Sequence, residues 1–166
     1  MEYLDVYNEK KELTGKVIPR TKERPDLGPD EFIRIIIIFI QNSKNELLIQ
    51  LTSKEKNSEW ATTGGFVKTG DTSEETVNIE VSEELGIDIS NEDVKYIGDF
   101  KRGIAIFDVY YLKKDIDIND LVYQKEEVDH VEWLTFEQID KLIEEGKYRK
   151  GNIPGLEILK NYLNNL

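Results

Sequence analysis

The sequence predicts an α/β protein: a mixed sheet with helices packed on its faces. Two observations carry this. One is the run Phe32–Gln41, FIRIIIIFIQ, a nearly unbroken string of β-branched residues. It is too short and too isoleucine-rich for a lone helix, so it reads as a central strand buried on both faces. The other is the order of the elements. Strands come first, one acidic helix follows, then more strands, then two helices, an order that suits helices laid against a sheet.

Taken in order, Tyr3–Tyr7 and Leu13–Pro19 read as two short strands joined by the charged turn Asn8–Glu12, a hairpin spanning about residues 1–20. The stretch Arg20–Asp30 carries two prolines and a glycine and reads as a loop. Its clustered Arg20, Lys22 and Arg24 suit either a phosphate-contacting loop or, more commonly, a solvated one. After the central strand, Asn42–Asn45 is a turn and Glu46–Leu51 a return strand. Lys54–Glu59 is polar and exposed, and Trp60 is expected as an apolar anchor ahead of Gly64 and Gly65. A helix runs from Thr72 to Leu85: Thr72 is the N-cap, Glu75 completes a capping box and Gly86 is the left-handed terminator. Val77, Val81 and Leu85 form its apolar stripe. Glu92–Asp99, Gly103–Leu112 and Glu127–Leu134 are the remaining strands, with a charged loop at Lys113–Asp120. Phe136–Glu145 has helical spacing, Thr135 as N-cap and Gly146 as stop. Pro154 starts the last helix, whose apolar face is Leu156, Leu159 and Leu163. No repeat, linker or composition break divides residues 1–166, which predicts a single domain.

Composition narrows the function. The chain carries 22 basic and 34 acidic residues, a net charge of −12. Nucleic-acid duplexes and anionic membranes are bound through basic patches, so neither is an expected partner. A small anionic substrate remains compatible, because a bound cation inverts the local field. There is no cysteine, which removes disulfides, thiolate zinc sites and cysteine nucleophiles. The N-terminus lacks a basic-then-apolar signal pattern, and Ile35–Ile40 is far too short to span a bilayer. A cytoplasmic protein is the expectation.

The chemistry concentrates in GGFVKTGDTSEETVNIEVSEELGI, Gly64–Ile87. Glu80, Glu83 and Glu84 share one arc of the helix at ~100° per residue, roughly opposite the inward stripe. Carboxylates stacked this way repel by about a few tenths of a kcal/mol per pair. A divalent cation would offset that, and oxygen-only ligands favour Mg²⁺ or Mn²⁺. A solvated acidic helix face is the plainer reading of the three glutamates alone. The Gly-Gly turn ahead of the helix, where backbone can approach a ligand, argues for the site.

The spacing Gly65, five residues, Asp71, then Glu80, Glu83, Glu84, Gly86 and Ile87 resembles the signature of the Nudix hydrolases, a box spanning residues 65–87 here. Two positions depart from it: Asp71 stands where the family has Glu, and Ile79 where it has Arg. The resemblance implies a Nudix α/β/α sandwich, often dimeric, that cleaves the diphosphate of a nucleoside-diphosphate-X compound with Mg²⁺, or Mn²⁺ in its place. It also implies that Glu80, Glu83, Glu84 and the Gly64 or Gly65 carbonyl hold metal, Gly65 being preferred. Glu83 or Glu84 of the box, or a loop glutamate, acts as base; of the pair Glu126 and Glu127, Glu127 is preferred. Arg34, Lys68 and Arg102 are the candidates for phosphate contact. Arg34 is the most telling, since a charge opening an apolar strand needs a reason. His130, the lone histidine, reads as a polar strand position. The flanking segments YLDVYNEKKELTGKV, LLIQ and WATTGG–FVKTGD resemble the branch containing isopentenyl-diphosphate isomerase. That enzyme uses a cysteine absent here, and Phe66 stands where a histidine is frequent, so isomerisation is not expected. A non-catalytic Nudix domain that binds a nucleotide or a partner is the alternative that Ile79 keeps open.

Overall fold

The computed structural model describes all 166 residues, Met1–Leu166. Strands β1 (Tyr3–Tyr7) and β2 (Leu13–Pro19) form an antiparallel hairpin. Asn8 shapes its turn by accepting from the backbone N–H groups of Lys10 and Glu12 at 2.9 and 3.0 Å. Then come β3 (Ile33–Gln41), β4 (Leu47–Thr52), β5 (Trp60–Ala61), β6 (Thr63–Phe66), α1 (Ser73–Leu85), β7 (Lys95–Arg102), β8 (Ala105–Lys113), β9 (Val128–Leu134), α2 (Phe136–Glu144) and α3 (Ile153–Asn164). The expected Glu92–Asp99 strand is displaced by three residues at the same length, to Lys95–Arg102, after a turn in which Asp88 accepts from the Ser90 N–H at 2.9 Å. Within the expected loop at Lys113–Asp120, Ile118–Asp120 form one 3₁₀ turn.

β3 is the axis of the sheet. It runs parallel to β8 in unbroken register from Ile33↔Ala105 to Gln41↔Lys113. On its other side it pairs antiparallel with β6, Ile35↔Phe66 through Ile38↔Thr63. It meets β4 only at Gln41↔Leu47, while β4 goes on to pair with β9 and β5. The sheet therefore forks between β6 and β4.

The period-two alternation of β3 places a core on each face. Ile36, Ile38 and Ile40 pack with Val77, Val81 and Leu85 of α1. Ile33, Ile37 and Phe39 pack with Ile139, Leu156 and Leu159 of α2 and α3, and with Leu4, Val6 and Ile18 of the hairpin. The result is an α/β/α arrangement around a mixed sheet, as the pattern predicts. No helix is long and apolar enough to cross a membrane.

One polar cluster interrupts this packing. The Asp108 side chain of β8 is fully buried and accepts from Arg34 Nε at 3.0 Å, Lys11 Nζ at 2.7 Å and Ser73 Oγ at 2.9 Å. Ser73, the first residue of α1, in turn accepts from the Tyr110 hydroxyl at 2.8 Å. This corrects the expected role of Arg34. Its guanidinium is committed to Asp108 and does not line the glutamate cleft. The reason for a charge at the start of the strand is a structural ion pair.

Candidate active site

α1 is set at both ends. Thr72 Oγ1 accepts from the Glu75 N–H at 3.1 Å, and the Glu75 carboxylate accepts from the Thr72 hydroxyl rather than from its backbone N–H. Gly86 takes φ 71°, and its N–H donates to the Ser82 carbonyl. A Cβ at Gly86 would also press on the Val122 carbonyl at 2.8 Å, so both conformation and space demand glycine there.

Between these ends the helix lies against β6, and the glutamates do not share a solvated arc. Glu84 is buried, Glu80 is half-buried and only Glu83 is exposed. The sheet's fork is the cause, because it opens a cleft of about 480 Å³ where α1 would otherwise meet backbone. Gly65 makes room for Glu80: a Cβ there would collide with the carboxyl. Gln50 of β4 reaches across the fork and donates to Glu84 Oε1 at 2.8 Å, its amide held by Thr63 Oγ1, which donates to Gln50 Oε1 at 3.1 Å. The other Glu84 oxygen is buried without any partner. A buried carboxylate oxygen of this kind carries the full cost of desolvation.

Burial pushes Glu80 up to about 7, with the Glu83 charge adding to it and Glu84, Lys68 and Arg20 opposing. Glu84 is driven well above the usual carboxylate range, first by burial, with the Gln50 hydrogen bond opposing and the Glu80 charge reinforcing. No three acidic or histidine side chains converge closely enough to enclose an ion by themselves. Glu80 and Glu84 adjoin each other inside the cleft, and Glu83 lies on its rim. The donor set is all oxygen, one oxygen lacks a partner, and Gly65 leaves space beside Glu80. These residues fit a hard divalent cation.

Of the other residues singled out from sequence, Lys68, Arg102 and Glu127 all line this cleft. Lys68 pairs with Glu2 at 3.0 Å and Glu127 lies 3.6 Å from Lys56. Asp71 and Ile79 do not line it, and Ile79 belongs to neither apolar core. Trp60 is half-buried and meets His130 edge-on, with ring centroids 5.4 Å apart. The sequence reading missed Gln50, Arg149 and the cleft-facing position of Arg20. A glutamine inside the apolar strand LLIQLT is the signal that could have flagged Gln50; Arg149 has no local signal.

A family model described as "NUDIX domain" matches residues 31–154. The chain belongs to the Nudix family. It is 36% identical over 154 residues to an uncharacterised Nudix hydrolase of Listeria monocytogenes, covering 89% of this chain and 88% of that one. A crystal structure from Deinococcus radiodurans superposes with a TM-score of 0.78 at 27% identity, covering 96% of this chain and 98% of that one. The NUDIX domain of Shewanella oneidensis NrtR, solved with ADP ribose, shares the fold at a TM-score of 0.63 and 15% identity, over 80% of this chain and 88% of that one. As a Nudix pyrophosphohydrolase, the protein belongs to a class that generally uses divalent metal ions.

Proposed function

We propose that the protein is a single-domain, Mg²⁺-dependent hydrolase that cleaves the diphosphate linkage of a small nucleoside-diphosphate-type compound. The observation that carries this is Glu84, a buried carboxylate with one oxygen unpartnered, beside Glu80 and at the edge of a cleft lined by both carboxylates and cations, Arg20, Lys68 and Arg102 among them. Glu80, Glu83, Glu84 and Gly65 are the residues that would hold the ion. When bound, Mg²⁺ neutralises diphosphate charge and acidifies a coordinated water. The chain's own part is placement. Lys68 and Arg102 hold phosphate oxygens, and Glu127, which lines the same cleft, accepts a proton from the attacking water. The water oxygen bonds to one phosphorus, the bond from that phosphorus to the bridging oxygen breaks, and two phosphorylated products leave.

The test is incubation with a panel of nucleoside diphosphate derivatives and Mg²⁺ or Mn²⁺. Turnover that is lost in Glu83→Gln supports the reading. No turnover of any member, with Glu83→Gln indistinguishable from the parent, overturns it in favour of a nucleotide-binding domain.

Ile79 is the observation favouring that second reading, and two neighbouring cations support the first. Lys68 and Arg20 both act on the Glu80 charge, and Lys68 also feels Glu83. They supply positive charge that Ile79 cannot. We expect Lys68→Met to weaken Mn²⁺ binding by roughly 10–100-fold, and Ile79→Arg to recover part of that loss. An unchanged calorimetric Mn²⁺ titration in both variants would remove Lys68 from this role.

The raised Glu80 and Glu84 values also set a pH dependence. The ion-free fold holds protons at this site more tightly than the unfolded chain does. Its stability contribution therefore falls as pH rises from the unfolded carboxylate range through about 7 for Glu80. A divalent cation displaces those protons. The thermal midpoint gained with saturating Mg²⁺ is expected to be larger at about pH 8 than at about pH 5.5; a gain independent of pH would contradict this.

A further inference from the structure

The segment Lys147–Asn152 joins α2 to α3 and is laced along residues 59–62 at the wall of the cleft. The Trp60 N–H donates to the Lys147 carbonyl at 2.9 Å, and the Arg149 N–H to the Trp60 carbonyl at 2.8 Å. Arg149 Nε donates to the Glu59 carboxylate at 2.6 Å, and the hydroxyls of Thr62 and Tyr148 lie 2.7 Å apart. Backbone pairing and side-chain bonds together make this a fixed strap. Tyr148 packs in the core shared with α2 and α3, whereas α1 and its glutamates stand on the other face of the sheet. Arg149, Gly151 and Asn152 of the strap line the cleft that Glu80 and Glu84 also line.

Asn152 ends the strap. It is only 3% exposed, yet it is part of the cleft wall. Its Oδ1 accepts from the Thr62 backbone N–H at 2.9 Å. A backbone N–H can only donate, so this bond fixes which amide atom is oxygen and which is nitrogen. No acceptor in the chain takes either hydrogen of Nδ2. The side-chain atom that is both sealed in and unpartnered is Glu84 Oε2, so Nδ2 opens onto the cleft that Asn152 lines. A surface cation needs no partner, but an amide buried this deeply normally has one. Gly151, next to it, keeps Arg102 close: a Cβ there would lie 3.3 Å from Arg102 Nη1. A neutral donor beside a guanidinium matches an anionic oxygen.

We propose that Asn152 is a substrate-contacting residue, its Nδ2 donating to a non-bridging phosphoryl oxygen of the bound diphosphate from the side opposite the glutamates. The assignment rests on the diphosphate-hydrolase reading and adds to it a grip that needs no metal. A ligand in the cleft is then held between α1 and the strap. A flexible cation attracts a phosphoryl group from many angles. An amide pinned through Thr62 donates in one direction, so it decides where that group sits. The lacing of the strap onto residues 59–62 is what holds the direction. Asn152 thus divides its work, with Oδ1 tied to the fold and Nδ2 left for the ligand.

Two variants separate these roles. Asn152→Asp keeps the shape and the acceptor for the Thr62 N–H but turns the free donor into a carboxylate oxygen, and Asn152→Ala removes both. The test is calorimetric binding of methylenediphosphonate, an uncleavable diphosphate, to the full chain with Mg²⁺ at alkaline pH. A Mn²⁺ titration without diphosphonate and turnover of the nucleotide panel accompany it. Asn152→Ala is expected to bind the diphosphonate about 10–100-fold more weakly than the parent. Asn152→Asp should bind it more weakly still, because an acceptor then faces a phosphoryl oxygen. Mn²⁺ affinity should be unchanged in both. A purely structural role reverses the order: aspartate, which keeps the Thr62 bond, binds like the parent and alanine does not. That order overturns the proposal, as does unaltered diphosphonate binding in Asn152→Ala or no binding by the parent. Equal losses of Mn²⁺ and diphosphonate affinity overturn it too, because the whole site has then shifted. Should Asn152→Asp fold poorly, Asn152→Ala and its Mn²⁺ titration decide. Weakened diphosphonate binding with no panel member cleaved by the parent leaves the contact standing and removes the hydrolase reading. Turnover by the parent with unaltered variants does the reverse.

Discussion

Glu84→Gln is expected to lower turnover of an accepted diphosphate by about 10²–10⁴-fold while making the ion-free protein more stable at alkaline pH. The two effects have one origin. Glu84 is buried and its Oε2 has no partner, so above its raised pKa the fold must hold a charge that only the Gln50 amide opposes. Glutamine keeps the shape and can still meet the Gln50 amide, but it carries no charge to desolvate. At alkaline pH the variant should melt above the parent in metal-free buffer, with each kcal/mol of relief worth about 2–4 °C at this chain length. The difference should shrink as pH falls, because the parent's raised carboxyl takes up its proton. Divalent cation should raise the parent's midpoint and leave the variant's nearly unchanged. A variant less stable than the parent at alkaline pH would mean that Glu84 is structural, and its strain would no longer mark a site adapted for function.

How much of this was legible beforehand depends on whether the cause was local. α1 was readable because its caps, Thr72 and Gly86, and its stripe, Val77, Val81 and Leu85, are all determined within one segment. The sandwich was readable because FIRIIIIFIQ can only be buried on both faces. The three glutamates were found by spacing, but their environment was misread. A helical wheel puts Glu84 away from the apolar stripe, and only the fork between β6 and β4 turns that side of the helix inward. Register between strands distant in sequence decides this, and no periodicity within α1 reports it. The same holds for Gln50, which meets Glu84 across 34 positions. Arg34 failed for a related reason. The oddity of a charge in an apolar strand was visible, but its partner Asp108 lies 74 positions away. An unexplained charge points equally to substrate and to a buried counter-ion until the parallel pairing of β3 with β8 chooses between them.

That counter-ion is the basis of the largest expected loss of stability. Asp108→Ala should cost about 3–5 kcal/mol, or on the order of 10 °C in thermal midpoint. The carboxylate is fully buried and is the common acceptor for Arg34, Lys11 and Ser73. Its removal leaves Arg34 of β3 without a carboxylate partner, while Lys11 of the hairpin turn keeps Asp99 and the Tyr96 hydroxyl. The expense lies mainly in the unpaired Arg34 cation, not in the loss of an attraction. Exchanging Arg34→Met and Asp108→Leu together should therefore recover much of the stability that Asp108→Ala loses. The site should still suffer in that double variant, because Ser73 opens α1 and would lose its acceptor. Glu80, Glu83 and Glu84 ride on the helix that Ser73 begins, and a small misplacement of oriented groups is expensive in catalysis. The measurement is a pair of readouts on each variant, thermal midpoint and Mn²⁺ affinity. Recovery of the first without the second in the double variant separates Asp108 as a counter-ion from Asp108 as the anchor of the acidic helix. Recovery of both would confine it to stability.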